Sequence, residues 1–210
     1  MYAIWLVPSA ALVAVLFGLR SVLSVTGLAQ KFAKALGLAA LVTLPMTLGL
    51  AVRLSLRDSV DPVEFFLASL APAFAEEFLF RGFAFGLLFR HARWGFIPAV
   101  LLSAVAFGIG HFYQGRDLAG ALQVMLVTFA GGAWLAWLCA EWETLWLPVF
   151  LHTLMNAAWF LFQVDSSAVG GGWANLCRGA TIALSVALTL RMCRKRGRFN
   201  VRKQQMLVQR

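Results

Sequence analysis

Charged side chains are scarce in this sequence. Asp, Glu, Lys and Arg make up 13% of its 210 residues, whereas 61% of the residues are hydrophobic. Soluble domains carry about 25% charged residues, so the composition excludes an ordinary soluble domain and indicates an integral membrane protein. A chain of this length is expected to form one compact helical bundle rather than two domains.

The sequence also has few cysteines and little charge near its N-terminus. The three cysteines, Cys139, Cys177 and Cys193, are far apart and form no CxxC pair. The sequence therefore predicts neither a disulfide framework nor a structural zinc site, and we interpret these residues as apolar fillers. No basic residue precedes the first apolar run, which argues against a cleaved signal peptide.

Long apolar runs fill most of the chain. Seven of them come close to, or exceed, the ~20 residues that a spanning helix needs; they cover residues 2–19, 35–52, 62–90, 95–113, 118–140, 144–163 and 173–190. The sequence therefore predicts an all-α, polytopic transmembrane bundle of about seven spans (range ~6–8). We expect one domain over residues 1–190, followed by a basic cytoplasmic tail over residues 191–210.

The third run has the clearest start signal and an unusual length. Asp61 is a plausible N-cap and Pro62 a plausible first helical residue. At 1.5 Å per residue, residues 62–90 would extend beyond a ~30 Å hydrocarbon core. We therefore expect either one tilted helix or a helix broken near Gly82.

The net charge of +9 is unevenly distributed, because eight of the 18 Lys and Arg lie in residues 191–210. A basic block after an apolar span is typical of a cytoplasmic segment that touches anionic lipid, so we expect no nucleic-acid partner. With the N-terminus outside, 13 Lys and Arg fall on the inner side and three on the outer side. This bias favours an outer N-terminus and a cytoplasmic C-terminus. The connection around Glu141 and Glu143 fits least, since it has no basic residue.

Few ionisable or strongly polar side chains interrupt the predicted spans; they are Glu76, Glu77, Arg81, His111, His152, Asn156 and Arg178. A charge near a bilayer centre costs roughly 2.5–3.5 kcal/mol, so such a cluster needs a reason. On a helix, Glu77 and Arg81 are four residues apart and can pair. Glu76 faces another direction and has no partner in its own segment, which makes it the candidate for chemistry.

Three other polar side chains can complete a site around Glu76. His111 lies one turn after Phe107, and His152 shares a helix face with Asn156. A carboxylate with a histidine can act as a general base towards water, and a second histidine with an amide can stabilise an oxyanion. The same side chains could instead bind a divalent metal, or serve as helix-packing pairs.

The order and spacing of these residues resemble a known family. Glu76-Glu77-x-x-x-Arg81, Phe107-x-x-x-His111 and His152-x-x-x-Asn156 are similar to the three motifs of the CAAX protease and bacteriocin-processing (Abi) family of intramembrane endopeptidases. The resemblance covers roughly residues 62–165, and all its motif positions match.

The resemblance implies specific roles. Glu76 and His111 would activate the water, His152 and Asn156 would stabilise the oxyanion, and Glu77, Arg81 and Phe107 would support the site. No cofactor is required by the sequence, which lacks HExxH. If a metal such as zinc is present, Glu76, His111 and His152 would be its ligands.

The resemblance also implies partners and a location. The expected substrate is a protein or peptide with a membrane-associated C-terminal region; the eukaryotic branch cleaves behind a prenylated cysteine, and small bacterial relatives act in bacteriocin immunity or with C-terminal sorting signals. The remaining partner is the lipid bilayer, and a prokaryotic plasma membrane is expected. A non-catalytic immunity or scaffold protein and a proton-coupled transporter are the alternatives; no half-repeat typical of transporters is visible.

The expected depths of these side chains in the membrane do not agree. In the proposed topology, Glu76 and His152 fall near the middle of the membrane, whereas His111 falls near the outer end of its span. Catalysis requires all three side chains to reach one water molecule. Either the fourth span begins later than expected, or a helix break near Gly82 moves Glu76 outward.

Overall fold

The computed structural model describes residues 3–202 and 206–207, and the regular secondary structure within them is helical. The helices are α1 (Ala3–Phe17), α2 (Val22–Thr26), α3 (Phe32–Ala51), α4 (Pro62–Ala68), α5 (Leu70–Glu77), α6 (Phe96–Gly110), α7 (Leu118–Trp142), α8 (Trp146–Leu161) and α9 (Gly172–Lys195). Two π-helical segments, Phe78–Phe85 and Leu87–His91, connect α5 to the turn before α6. The predicted all-α fold class is confirmed.

Four helices in the described part of the chain are long and apolar enough to cross a membrane: α3, α6 with its extension to Gln114, α7 and α9. The helices on either side of Gly18 form a fifth candidate, bent by 113°. The apolar helix α8 has only 16 residues. A polytopic helical bundle is therefore confirmed, but the expected number of seven spans exceeds the four or five that meet this test. Tyr2, where the first expected span begins, lies outside the described residues.

The start of the third predicted segment is as expected. The Asp61 carboxylate accepts a hydrogen bond from the Glu64 backbone N–H at 2.8 Å, and Pro62 is the first residue of α4. This arrangement satisfies one of the N–H groups that every helix start leaves unpaired.

The rest of that segment is not one continuous helix. The chain breaks at Ser69, where φ is −119° and ψ is −73°, and restarts as α5. Pro72 accounts for the break, because proline has no N–H to donate and its ring clashes with the carbonyl four residues earlier. In the first turn of a new helix neither problem arises. The expectation of one tilted helix or of a break near Gly82 is therefore wrong.

Gly82 instead lies inside the first π-helical segment, where it allows close packing. A Cβ atom at this position would lie 2.9 Å from Leu145 Cδ2 and 3.4 Å from the Thr26 carbonyl oxygen. The missing side chain thus lets the π-helical segment contact α2 and the turn before α8.

The bundle packs through small side chains and a few polar contacts between helices. Ala35 and Ala39 of α3 are buried in one cluster with Leu147 and Leu151 of α8, and small residues of this kind let helix backbones approach closely. The Trp142 indole donates a hydrogen bond to the Thr189 hydroxyl at 2.9 Å, which joins the end of α7 to α9.

The polypeptide after α9 packs against the bundle. The Glu141 side chain is 1% exposed and accepts hydrogen bonds from the backbone N–H groups of Asn200 at 2.9 Å and Val201 at 3.1 Å. The Cys193 thiol donates to the same carboxylate at 3.4 Å. The start of the basic tail is thus part of the fold, and α9 continues to Lys195 instead of ending near residue 190. Lys203 and Arg210 lie outside the described residues.

Replacing Glu141 with alanine should loosen this segment, because two backbone N–H groups lose their acceptor. An unpaired buried N–H group costs about 1–3 kcal/mol. Hydrogen–deuterium exchange should therefore become at least about fivefold faster at Asn200 and Val201. Glu143→Ala is the matched control, because Glu143 is 59% exposed and its ion pair with Lys31 contributes little. Equal exchange in both variants would contradict an anchoring role for Glu141.

Candidate active site

A cavity of about 820 Å³ lies between α3, α5, α6, α7, α8 and α9. The structure brings all the residues predicted to be catalytic to its wall: Glu76, His111, His152 and Asn156. Most of the remaining wall is apolar, with Met46, Leu135 and Ile182 among the lining residues.

The four polar side chains reach the cavity from three different parts of the chain. Glu76 is in the last turn of α5, and His111 is the C-cap residue that directly follows α6. His152 and Asn156 lie one helical turn apart on α8. Because α5 restarts only at Ser69, Glu76 comes close to the end of α6 although the two lie far apart in the sequence.

The Glu76 carboxylate faces both histidine rings. Its Oε2 atom lies 3.9 Å from His111 Nε2 and 3.8 Å from His152 Nε2. Both distances are too long for a direct hydrogen bond, so these atoms can interact through a shared water molecule. The Glu76 side chain is 23% exposed, so water can reach it.

The orientation of the His111 ring is fixed by a hydrogen bond at Nδ1, the nitrogen that does not face Glu76. His111 Nδ1 lies 2.8 Å from the Phe107 carbonyl oxygen, which can only accept a hydrogen bond. The neutral ring therefore carries its hydrogen on Nδ1, and we assign the Nε2 lone pair to the side that faces Glu76. The Phe107 ring packs edge-on against the imidazole, with ring centroids 4.4 Å apart.

Glu77 has a second partner that the sequence did not predict. Its Oε1 atom accepts a hydrogen bond from Arg81 Nη1 at 3.0 Å, as expected for residues four apart, and also lies 2.8 Å from His152 Nδ1. The carboxylate can only accept, so the neutral His152 ring carries its hydrogen on Nδ1 and turns Nε2 towards Glu76. Glu77 therefore orients His152 directly.

The Glu77–Arg81 pair is fully enclosed, with side-chain exposures of 0% and 1%. The Arg81 guanidinium lies 4.2 Å from the centre of the Phe107 ring, which adds a cation–π contact. Gly132 of α7 makes room for it, because a Cβ atom there would lie 3.0 Å from Arg81 Nη2. The pair thus connects the π-helical segment to α6 and α7.

Loop residues 163–168 form one end of the cavity wall. Ala168 is held from two sides: its N–H donates to Gln114 Oε1 at 2.9 Å, and its carbonyl accepts from Arg178 Nη1 at 2.9 Å. Arg178 also stacks on Trp159, 4.3 Å from the ring centre. The sequence placed Arg178 only as a charge near a helix end; no local pattern pointed to this role at the cavity rim.

The predicted metal ligands do not have the spacing that a zinc ion requires. Ligands about 2.1 Å from a tetrahedral zinc ion lie about 3.4 Å apart, whereas Glu76 Oε2 lies 3.8 and 3.9 Å from the two histidine nitrogens. Among the described residues, no group of three His, Cys, Asp or Glu side chains is arranged to hold a metal ion. We therefore derive no step through a metal.

Sequence comparisons concern the same part of the chain. A family model described as type II CAAX prenyl endopeptidase Rce1-like matches residues 58–158, which include every motif position discussed above. A Bacillus subtilis (strain 168) protein named "Putative membrane peptidase YdiL" is 31% identical over 104 residues. That alignment covers 50% of this chain and 38% of the relative's own length. No solved structure matches the chain.

The two adjacent glutamates should differ in their effect on stability. Glu77→Ala leaves the buried Arg81 guanidinium without its carboxylate, and breaking a buried ion pair costs about 3–5 kcal/mol. Glu76→Ala removes a partly exposed carboxylate without a direct hydrogen bond, so we expect a change of less than about 1 kcal/mol. Thermal unfolding of both variants in the same detergent measures the difference. Equal losses of stability would contradict the separate roles of the two residues.

Proposed function

Because a family model described as type II CAAX prenyl endopeptidase Rce1-like matches residues 58–158, we propose that the chain is an intramembrane endopeptidase of the CAAX protease and bacteriocin-processing family. Its reaction is the hydrolysis of a peptide bond near the membrane, in the C-terminal region of a protein or peptide substrate. The observation that carries this proposal is the position of Glu76 Oε2 opposite the Nε2 atoms of His111 and His152. This arrangement supports a single water molecule held by three groups, next to a cavity that admits a peptide.

Glu76 is the general base of the proposed reaction. A water molecule between the three side chains donates one hydrogen to the Glu76 carboxylate and the other to the Nε2 lone pair of His111, while His152 enters the reaction as an imidazolium paired with Glu77. Glu76 takes the first proton as the water oxygen forms a bond to the carbonyl carbon of the substrate. The low dielectric of an apolar site strengthens each of these interactions relative to bulk water.

Asn156 and His152 stabilise the tetrahedral intermediate in this proposal. The Asn156 amide donates directly to the oxyanion. His152 Nε2 can donate only when the ring is protonated, since Nδ1 already donates to Glu77. The Glu77 carboxylate stabilises that imidazolium. The C–N bond then breaks, and the leaving amine takes the proton held by Glu76, which restores the carboxylate.

Glu76→Gln should abolish this chemistry while keeping the size of the side chain. Loss of a general base lowers a rate by about 10²- to 10⁴-fold. We would compare membrane proteins from cells that produce the wild-type chain, Glu76→Gln or Glu143→Gln, and measure C-terminal peptides by mass spectrometry. A processed C-terminus should appear with the wild type and with Glu143→Gln, the control at an exposed glutamate, but not with Glu76→Gln.

The same comparison, extended to His152→Ala and to the effect of each variant on the cells, also tests other functions. A protein that retains its cellular effect in both Glu76→Gln and His152→Ala would be a non-catalytic immunity or scaffold protein. A processed C-terminus that appears unchanged with Glu76→Gln would refute Glu76 as the base. Either result would require a different function for the cavity.

Metal dependence is tested separately on the purified protein. We propose a glutamate-activated water, so activity towards the processed peptide identified above should persist after dialysis against EDTA. Elemental analysis should find much less than one zinc per chain. Stoichiometric zinc, with activity that is lost on chelation and restored by zinc, would overturn this part of the proposal and make Glu76, His111 and His152 the ligands to examine.

A further inference from the structure

The two ends of the helical bundle differ strongly in charge. One end carries the start of α3, the end of α7, the start of α8 and the end of α9. Contacts across this end include Lys31 Nζ to the Trp142 carbonyl oxygen at 2.7 Å and the Ile97 N–H to the Met206 carbonyl oxygen at 2.9 Å. The described basic residues at this end, which we call the basic end, are Arg20, Lys31, Lys34, Arg90, Arg93, Arg191, Arg194, Lys195, Arg196, Arg198 and Arg202.

The opposite end is close to neutral or acidic. It carries the end of α3, the start of α4, the start of α7 and the loop between α8 and α9. The Arg57 N–H donates to the Leu161 carbonyl oxygen at 2.9 Å, which places the loop after α3 beside the end of α8. Its charged residues are Arg53, Arg57, Asp58, Asp61, Glu64, Arg116, Asp117 and Asp165, together with Arg178 at the cavity rim.

The structure explains the connection between α7 and α8, which fitted this charge bias least. Glu141 is buried beneath the segment that follows α9, and Glu143 forms an ion pair with Lys31 at 3.3 Å. The connection between α7 and α8 therefore lies among basic residues, although it contains none itself. Every described loop at the basic end now agrees with the rule that Lys and Arg accumulate on the cytoplasmic side.

The cavity opens at the other end. Arg57, Gln114 and the loop residues 163–168 line it there, and Tyr113 and Ser166 are exposed beside them. The helices α3 and α9, of 20 and 24 residues, separate this opening from the basic end. At 1.5 Å per residue these helices are about 30–36 Å long, which equals the thickness of a membrane core.

We propose that the basic end lies in the cytoplasm and that the cavity opens on the opposite, extracytoplasmic face. The substrate is then an exported or membrane-inserted polypeptide, whose scissile bond is presented from outside the cell at the outer surface of the bilayer. A lipid-modified protein that stays in the cytoplasm would not reach the opening. The term substrate rests on the proposed peptidase function, whereas the orientation rests on the charges and the helix directions alone.

Cysteine labelling in intact cells tests the orientation without any substrate. The native cysteines, Cys139, Cys177 and Cys193, are buried, so the unchanged chain provides the blank. Ser166→Cys places a thiol at the opening, and Gln30→Cys places one in an exposed position at the basic end. A charged maleimide that does not cross membranes should label Ser166→Cys in intact cells at least about tenfold more than Gln30→Cys. Permeabilised cells should give equal labelling of both.

A second cysteine variant controls for local misfolding that Ser166→Cys could cause at the cavity rim. Ser59→Cys lies in the exposed loop before α4 and should behave like Ser166→Cys. Labelling of Gln30→Cys but not of Ser59→Cys and Ser166→Cys in intact cells would overturn the proposal, as would equal labelling of all three. Neither result would affect the peptidase assignment, and an inactive Glu76→Gln variant with the expected labelling would leave the orientation intact.

Discussion

The architecture of the site depends on one carboxylate oxygen. Glu77 Oε1 binds Arg81 at 3.0 Å and His152 at 2.8 Å, so a buried ion pair and a candidate catalytic histidine share one acceptor. Separating a buried charge pair leaves an uncompensated charge. Movement of α8 relative to α5 would leave that pair intact, because both of its residues lie in one segment, but it would break the hydrogen bond between His152 and a charged acceptor, which contributes about 1.5–3 kcal/mol. The fold holds His152 in place with the same interaction that neutralises Arg81.

The course of the chain just before the Glu77–Arg81 pair explains how the candidate water site forms. Pro72 forces a break at Ser69, and α5 starts anew and ends at Glu77. The following residues form a π-helical segment, a wider helix that is frequent at functional sites. The short helix between the break and the π-helical segment holds Glu76 in the cavity and Glu77 in the core.

Local sequence spacing predicted some of these contacts and could not predict others. Glu77 and Arg81 are four residues apart, and any helix brings such residues together. The contact between Glu77 and His152 joins residues 75 positions apart, and no helical period encodes it. Family resemblance named both residues, but it assigned them to different tasks. Their direct hydrogen bond emerges only from the packing of α5 against α8.

The depth of His111 shows where length-based reasoning fails. Counting residues along straight spans placed Glu76 near the middle of the membrane and His111 near its outer end. The structure instead has Glu76 and His111 3.9 Å apart. The straight-helix assumption was the error, since the break at Ser69 changes the path of the chain before Glu76. The same effect bears on the number of spans: a long apolar run can fold as several short helices, and four or five candidate spans among the described residues meet the length and composition test, whereas seven runs were expected.

The two sides of the cavity rim are held with different strengths. Ala168 is held by Gln114 on one side and Arg178 on the other, through hydrogen bonds of 2.9 Å each. The bond to Gln114 joins two neutral groups and contributes about 1 kcal/mol net, whereas a hydrogen bond to a charged group such as the Arg178 guanidinium contributes about 1.5–3 kcal/mol. Separating the rim from Gln114 therefore costs less free energy than separating it from Arg178.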